Sequence, residues 1–222
     1  MRLSGGQSLV PGSTGTIPYD LSYGQIGIES VPGRPKGRRN AKGSPFMEVI
    51  MEATRKKLAQ IAQEKALQPF HGFIEGKDSN LKPIIRHFPK WNIKEADGLW
   101  CASFVYYCCV EAGFQIPYSP DECVTCSLAG CGGWEEYAMG DSRIEYHKRD
   151  DLFIPEAGDI VLYDNVFSRQ EHDHIGIVLE VYSDRLVTAE GNIPQRNTSG
   201  ILTRLRDEHI RAYIRIPNGY RY

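Results

Sequence analysis

The chain has 222 residues, enough for one sizeable core plus an extension. Its 26 Lys and Arg against 28 Asp and Glu exclude the strongly basic balance of a nucleic-acid binder, and no nucleic-acid partner is expected. No run approaches the roughly 20 apolar residues of a membrane-spanning helix, and Met1 to Val10 is too polar for the apolar region of a secretory signal, so the chain reads as soluble and without a membrane span.

Residues 1–44 are rich in Gly, Ser and Pro and poor in large aliphatics, so they read as a flexible or loosely docked leader. Its basic patch, Arg34 to Lys42, reads first as a solvated tail. The functional alternative is attraction to an anionic polymer such as a cell wall, an attraction that high salt would abolish. Ser44-Pro45 then marks a cap and a first helical residue, opening a helix to about Ala66 with Met47, Ile50, Met51, Thr54, Leu58 and Ile61 along a core-facing stripe. Pro69 to Trp91, with His71, Pro83, His87 and Pro89, reads as an irregular connection. Residues 45–95 are accordingly expected as a helical N-terminal extension packed on a body formed by residues 96–222.

Asp97 to Phe114 predicts the central helix, with Asp97 as N-cap, Cys101 on the first turn, Val105, Cys108 and Ala112 on its stripe, and Gly113 as the stop. A thiol there meets unpartnered backbone N–H groups and the positive end of the helix dipole, both of which favour the nucleophilic thiolate. The bland alternative is a buried structural cysteine. Pro117 to Arg149 reads as a long loop-rich region bordering a groove, with Tyr118 and Trp134 as candidates for stacking on sugars. It holds Cys123, Cys126 and Cys131 at knuckle-like spacing. An obvious fourth ligand is lacking, His147 being the nearest, so reduced thiols and no metal are expected. Cys108 and Cys109 diverge by about 100° on a helix and should not pair with each other.

From Pro155 onward the pattern is that of strands. Ala157-Gly158-Asp159 turns into Ile160 to Tyr163, and a charged loop, Asp164 to Asp173, follows. His174 to Tyr182 alternates, with Ile175, Ile177, Leu179 and Val181 on one face and His174, Gly176, Val178 and Glu180 on the other. Leu186 to Asn192, Gly200 to Arg206 and Ile210 to Ile216 complete a small antiparallel sheet. With an odd-residue connection Tyr182 pairs with Leu186 and Val178 with Glu190, and His174, Glu190 and Asn192 share a face. A two-residue turn would set Glu190 on the face opposite His174.

A thiol nucleophile needs a base, and the base needs a third group to orient it. Cys101, His174 and Glu190 or Asn192 supply these in order along the chain. His172, two residues upstream, is the competing base, and His147 and His209 read as loop histidines.

Three stretches in that order carry a family likeness: Trp100-Cys101-Ala102-Ser103-Phe104-Val105 with Ala112-Gly113, Ala157-Gly158-Asp159-Ile160-Val161-Leu162-Tyr163, and His174-Ile175-Gly176-Ile177-Val178 with Ala189-Glu190-Gly191-Asn192. Together they resemble the CHAP family, the cysteine, histidine-dependent amidohydrolases and peptidases of the wider papain-like and NlpC-like group. Many members have Gln before the cysteine. This chain has Trp100, which leaves the backbone N–H of Cys101 as the nominated oxyanion donor.

The resemblance implies an α+β, papain-like fold with the nucleophile helix packed on the sheet, and a catalytic domain over 96–222. It implies hydrolysis of amide bonds in peptidoglycan, as an N-acetylmuramoyl-L-alanine amidase or an endopeptidase, acting at the cell wall or after secretion and without a cofactor. In the roles it implies, Cys101 attacks, His174 is base and then acid, Glu190 orients His174, and Asn192 assists or holds the substrate. The alternatives are a papain-like peptidase or amidase for a small peptide conjugate, and a catalytically silent wall-binding module.

Overall fold

The computed structural model describes residues 45–222, the first ten of them as backbone only. The leader expected over 1–44, its basic patch and the Ser44 cap lie outside the described residues, as do the side chains of the stripe positions Met47, Ile50, Met51 and Thr54. Among the described residues the helices are α1 (Pro45–Leu67), α2 (Lys82–Ile85), α3 (Ile93–Ala96), α4 (Cys101–Ala112) and α5 (Cys131–Gly140). The strands are β1 (Glu145–Lys148), β2 (Ile160–Tyr163), β3 (His174–Val181), β4 (Arg185–Ile193), β5 (Thr198–Leu205) and β6 (Ile210–Arg215). They form one antiparallel sheet in the order β1-β6-β2-β3-β4-β5. The expected mixture of helices with an antiparallel sheet is what forms, and no helix among the described residues is long and apolar enough to cross a membrane.

Helix α4 is the centre of the core. The expected stripe of Val105, Cys108 and Ala112 is buried, but so are Ala102, Ser103, Phe104, Tyr106, Tyr107 and Cys109, so the helix is enclosed on nearly every side. Leu58, Ala62 and Ala66 of α1 and Ile175, Ile177 and Ala189 of the sheet share its apolar cluster. The helix ends as expected at Gly113, which takes φ +101°. Its N–H bonds the Val110 carbonyl at 2.9 Å while Phe114 N–H bonds that of Cys109 at 3.1 Å, the paired bonds of a Schellman stop.

Its start corrects the sequence reading. Asp97 ends α3 instead of capping α4, because Asn92 accepts from Lys94 and Glu95 N–H and starts a separate four-residue helix in a capping box. The Asp97 carboxylate turns to Phe73 N–H (3.0 Å) and Asn197 Nδ2 (2.6 Å). Trp100 occupies the cap position of α4 with no side-chain bond to the helix. The connection read as irregular between Pro69 and Trp91 contains one short helix, α2, opened by Pro83 near its start.

The sheet is covered on both faces, which is why β2 is apolar at every position. Opposite the helices lies a smaller cluster of Val161, Tyr163, Val178, Leu186, Ile210 and Tyr213, with Val181 packed against it. Val181 was expected on the face of Ile175 and lies on the other. The reason is a bulge. At the hairpin Val181 pairs with Leu186 and Glu180 with Val187, the two-residue parity that would put Glu190 opposite His174; beyond a register shift between Val178 and Glu180, Val178 pairs with Thr188 and Ile177 with Ala189. One extra residue, Leu179, restores the parity and returns Glu190 to the face of His174. The shared face is thus reached by a different register from the expected Val178–Glu190 pairing.

The region read as loop from Pro117 to Arg149 contains α5 and β1. Its Gly132-Gly133 start hides the helix from a propensity reading. Gly133 is required there, since a Cβ at that position would lie 2.4 Å from the Ser127 carbonyl oxygen. Burial of Trp134, Tyr137 and Ala138 holds the helix in place of propensity. Trp134 is therefore a core residue, its indole N–H bonded to the Leu128 carbonyl at 3.1 Å, and offers no platform to a sugar.

Candidate active site

Cys101 is the first residue of α4 and lies half-buried at the floor of an open cavity of about 600 Å³. Leu99, Phe167, His172, His174, Asn192 and Cys131 also line it. The Cys101 thiol is held well below the ordinary cysteine range: a hydrogen bond from the Cys131 thiol lowers it most, burial opposes, and hydrogen bonding and charge from His174 and the Ala102 N–H lower it further. The two sulfurs are 3.7 Å apart. Cys131 is itself pushed well above the ordinary range by that bond and by burial, so Cys131 keeps its proton and donates.

His174 opens β3 with its imidazole 2% exposed. Its Nε2 lies 2.8 Å from Glu190 Oε2. An ionised carboxylate can only accept, so Nε2 carries the proton and Nδ1 is the nitrogen left to exchange a proton with sulfur. The Phe167 ring packs nearly perpendicular to the imidazole, 4.8 Å away between centroids. Burial works to lower the imidazole pKa, yet the Glu190 charge and bonds to Cys101 and Glu190 push it up to about 9. The two shifts run in opposite directions, as between neighbours that favour each other's charged forms.

Glu190 is fully buried in β4. Arg204 grips it with both Nε (2.9 Å to Oε1) and Nη2 (2.6 Å to Oε2), and Thr188 Oγ1 donates to Oε1 at 2.6 Å. Burial would raise the carboxyl, but Arg204 and His174 hold it at about 2. Removing one member of such a buried pair leaves an undercompensated charge. Arg204→Met is expected to cost about 3 kcal/mol in urea unfolding, the low end of the usual range because His174 and Thr188 still serve Glu190. A loss under about 1 kcal/mol would mean that Glu190 does not depend on Arg204.

Asn192 lines the cavity but makes no bond to His174. In a left-handed conformation (φ +52°), it donates from Nδ2 to the Gly98 carbonyl at 2.7 Å and so ties β4 to the segment preceding α4. The adjoining Gly191 permits this closeness, since a Cβ there would lie 2.4 Å from that of Phe104. Trp100 is fully buried, its indole N–H bonded to Asn197 Oδ1 at 2.9 Å, and offers the cavity no side-chain donor. That leaves the backbone N–H groups of the first α4 turn, which have no intrahelical acceptor.

The competing imidazole, His172, also lines the cavity, but β3 starts after it. His172 takes a left-handed conformation (φ +53°) and bonds Glu135 through Nε2 at 2.5 Å. Glu135 is buried on α5 and further held by Tyr146 and by Arg211 Nε at 2.8 Å. His147 stacks on Phe153 and His209 bonds the Asp164 carbonyl, both away from the cavity lining. The three clustered thiols take separate partners, Cys123 donating to the Gly133 carbonyl (3.3 Å), Cys126 accepting from Gly133 N–H (3.1 Å) and Cys131 facing Cys101. Among the described residues no group of three or more His, Cys, Asp and Glu is arranged to hold a metal ion.

Two participants escaped the sequence reading. Arg204 was legible in principle, for Gly200 pairs with Glu190 and Arg204 follows Gly200 at an even spacing on an expected strand. Cys131 was legible only as a member of the loop thiol cluster, because the two glycines after it mask the helix that sets it beside Cys101.

Residues 93–192 match the family model described as "CHAP domain". Cys101, His174, Glu190 and Asn192 all fall inside the match. A solved structure described as "The crystal structure of Ly7917" is similar at 14% identity and a TM-score of 0.44 over 74% of this chain, which spans 62% of that chain's length. No curated protein matches. The family is one of cysteine, histidine-dependent amidohydrolases and peptidases, commonly acting on peptidoglycan. Over residues 93–192 this chain is similar to the CHAP domain.

Proposed function

We propose that this protein hydrolyses amide bonds of peptidoglycan through a thioester, as an N-acetylmuramoyl-L-alanine amidase or a peptidoglycan endopeptidase. The catalytic unit in this reading is a papain-like domain over 96–222, with 45–95 as its helical extension. One observation carries it: Cys101 and His174 line one open cavity, and His174 Nε2 lies 2.8 Å from the buried Glu190 carboxylate behind it.

The Cys101 thiolate attacks the carbonyl carbon, and the developing oxyanion turns toward the backbone N–H of Cys101. His174 gives its Nδ1 proton to the departing amine as the C–N bond breaks, leaving a thioester. Neutral His174 then takes a proton from water, whose oxygen attacks the thioester carbon, and the C–S bond breaks to restore the thiolate. Glu190 keeps the imidazole in the required orientation throughout, and Asn192 holds the Gly98 segment that forms one wall of the cavity.

The reactive form is thiolate with imidazolium. Activity is expected to rise with pH through the lowered Cys101 pKa and to fall as pH passes about 9, where His174 loses the proton needed by the leaving amine. A rate still climbing well above that pH would show that protonated His174 is not required.

Incubation with purified wall fragments, followed by mass spectrometry, tests the function. The expected products carry a new amino terminus, either at the stem-peptide alanine released from muramic acid or within the stem or cross-bridge peptide. Fragments left intact by protein whose Cys101 is reactive would refute a wall-amide substrate.

A further inference from the structure

The proposed mechanism uses one cysteine, yet a second thiol stands against it. Cys131 opens the ten-residue α5 as Cys101 opens the twelve-residue α4, so two helix starts present their thiols to one cavity with the sulfurs 3.7 Å apart. Cys126 also lines this cavity, but the remaining thiols have other surroundings. Cys108 and Cys109 are enclosed in the core, and Cys123 and Cys126 are bonded to the backbone of Gly133.

We propose that Cys101 and Cys131 form a reversible oxidative modification site, in which a hydroperoxide converts the two thiols to an intrachain disulfide that closes the nucleophile off. A disulfide needs the sulfurs about 2.05 Å apart, so closure asks for about 1.7 Å of movement shared between two side chains. Both side chains belong to the first residue of their helices, where the movement falls at a helix end and not within a helix.

The chemistry balances in two steps. The Cys101 thiolate attacks one peroxide oxygen; the O–O bond breaks, the departing oxygen takes a proton and leaves as alcohol or water, and Cys101 becomes a sulfenic acid, oxidised by two electrons. The Cys131 sulfur then attacks the Cys101 sulfur. As the S–S bond forms the S–O bond breaks, and the hydroxide leaves with the Cys131 proton as water. Two thiols and one hydroperoxide give one disulfide, one alcohol and one water. The pairing also spares Cys101 the irreversible sulfinic state, because the resolving thiol is already in contact.

The inference rests on Cys101 being the reactive thiol of the proposed site, and not on which amide is cleaved. The test treats the full chain with hydrogen peroxide, blocks free thiols under denaturing conditions and maps the cysteines by mass spectrometry. Trypsin is unsuitable, since no Lys or Arg lies between Lys94 and Arg143 and all six cysteines fall in one peptide. Chymotrypsin, cutting after Trp100, Phe104, Leu128 and Trp134, puts Cys101 and Cys131 on separate short peptides.

The expected result is those two peptides joined, about 2 Da lighter than their sum and separated again by dithiothreitol. In Cys131→Ser the link is absent and Cys101 gains about 32 Da as sulfinic acid at the same dose. Both thiols remaining free in the wild-type protein, Cys101 overoxidised there without a link, or Cys131 joined to Cys126 would each overturn the proposal. The mapping needs no variant to fold. Protein that forms the link on oxidation but leaves wall fragments intact after reduction by dithiothreitol would sink the proposed function alone, and reduced protein that cleaves fragments but forms no link with peroxide would sink this inference alone.

Discussion

Replacing Cys101 by alanine is expected to lower turnover of wall fragments by about a million-fold, the scale for losing the nucleophile of a triad. The substitution removes one sulfur from a half-buried position at a helix start where alanine is fully compatible, so the fold should persist. Retained circular dichroism with lost activity separates chemistry from stability. The His174–Glu190–Arg204 chain keeps all its bonds in the variant, since none of them passes through the sulfur. Turnover within tenfold of wild type would remove Cys101 from the mechanism.

His174→Ala is expected to cost ~100-fold or more, within the usual range for a general base. It removes the group that accepts and returns the proton, and it also removes the charge that helps hold Cys101 as thiolate. Glu190 would still be gripped by Arg204 and Thr188, so its buried charge stays satisfied. The discriminating readout is the pH profile: the alkaline limb near pH 9 should disappear with the imidazole. His172 stands in the same cavity, but its Nε2 is bound to Glu135. A variant that keeps both rate and limb would transfer the role to His172.

Much of this was legible in the chain because strand alternation and helix stops are local. The five strands from Ile160 onward and the Gly113 stop follow from apolar spacing and from the one residue type at ease at positive φ. What was not legible depends on distant contacts. Nothing local marks Leu179 as a bulge, yet that one residue decides which face Glu190 occupies. Helix α5 starts on Cys131-Gly132-Gly133, all poor helix formers, and Gly133 is required because the Ser127 carbonyl leaves no room for a Cβ there. Missing that helix meant missing both Cys131 beside the nucleophile and Glu135 behind His172. Asp97 looked like a cap for α4 until Asn92 proved to start a helix of its own.

The central claim is that Cys101 is held as a thiolate by His174 and Cys131, and the rate of its alkylation by iodoacetamide against pH measures that directly. By peptide mass spectrometry, half-maximal labelling of Cys101 in the wild-type protein is predicted well below the ordinary thiol pKa of about 8.5, with a clear move upward in His174→Ala. Labelling of Cys101 that titrates as an ordinary thiol in both proteins would contradict the account.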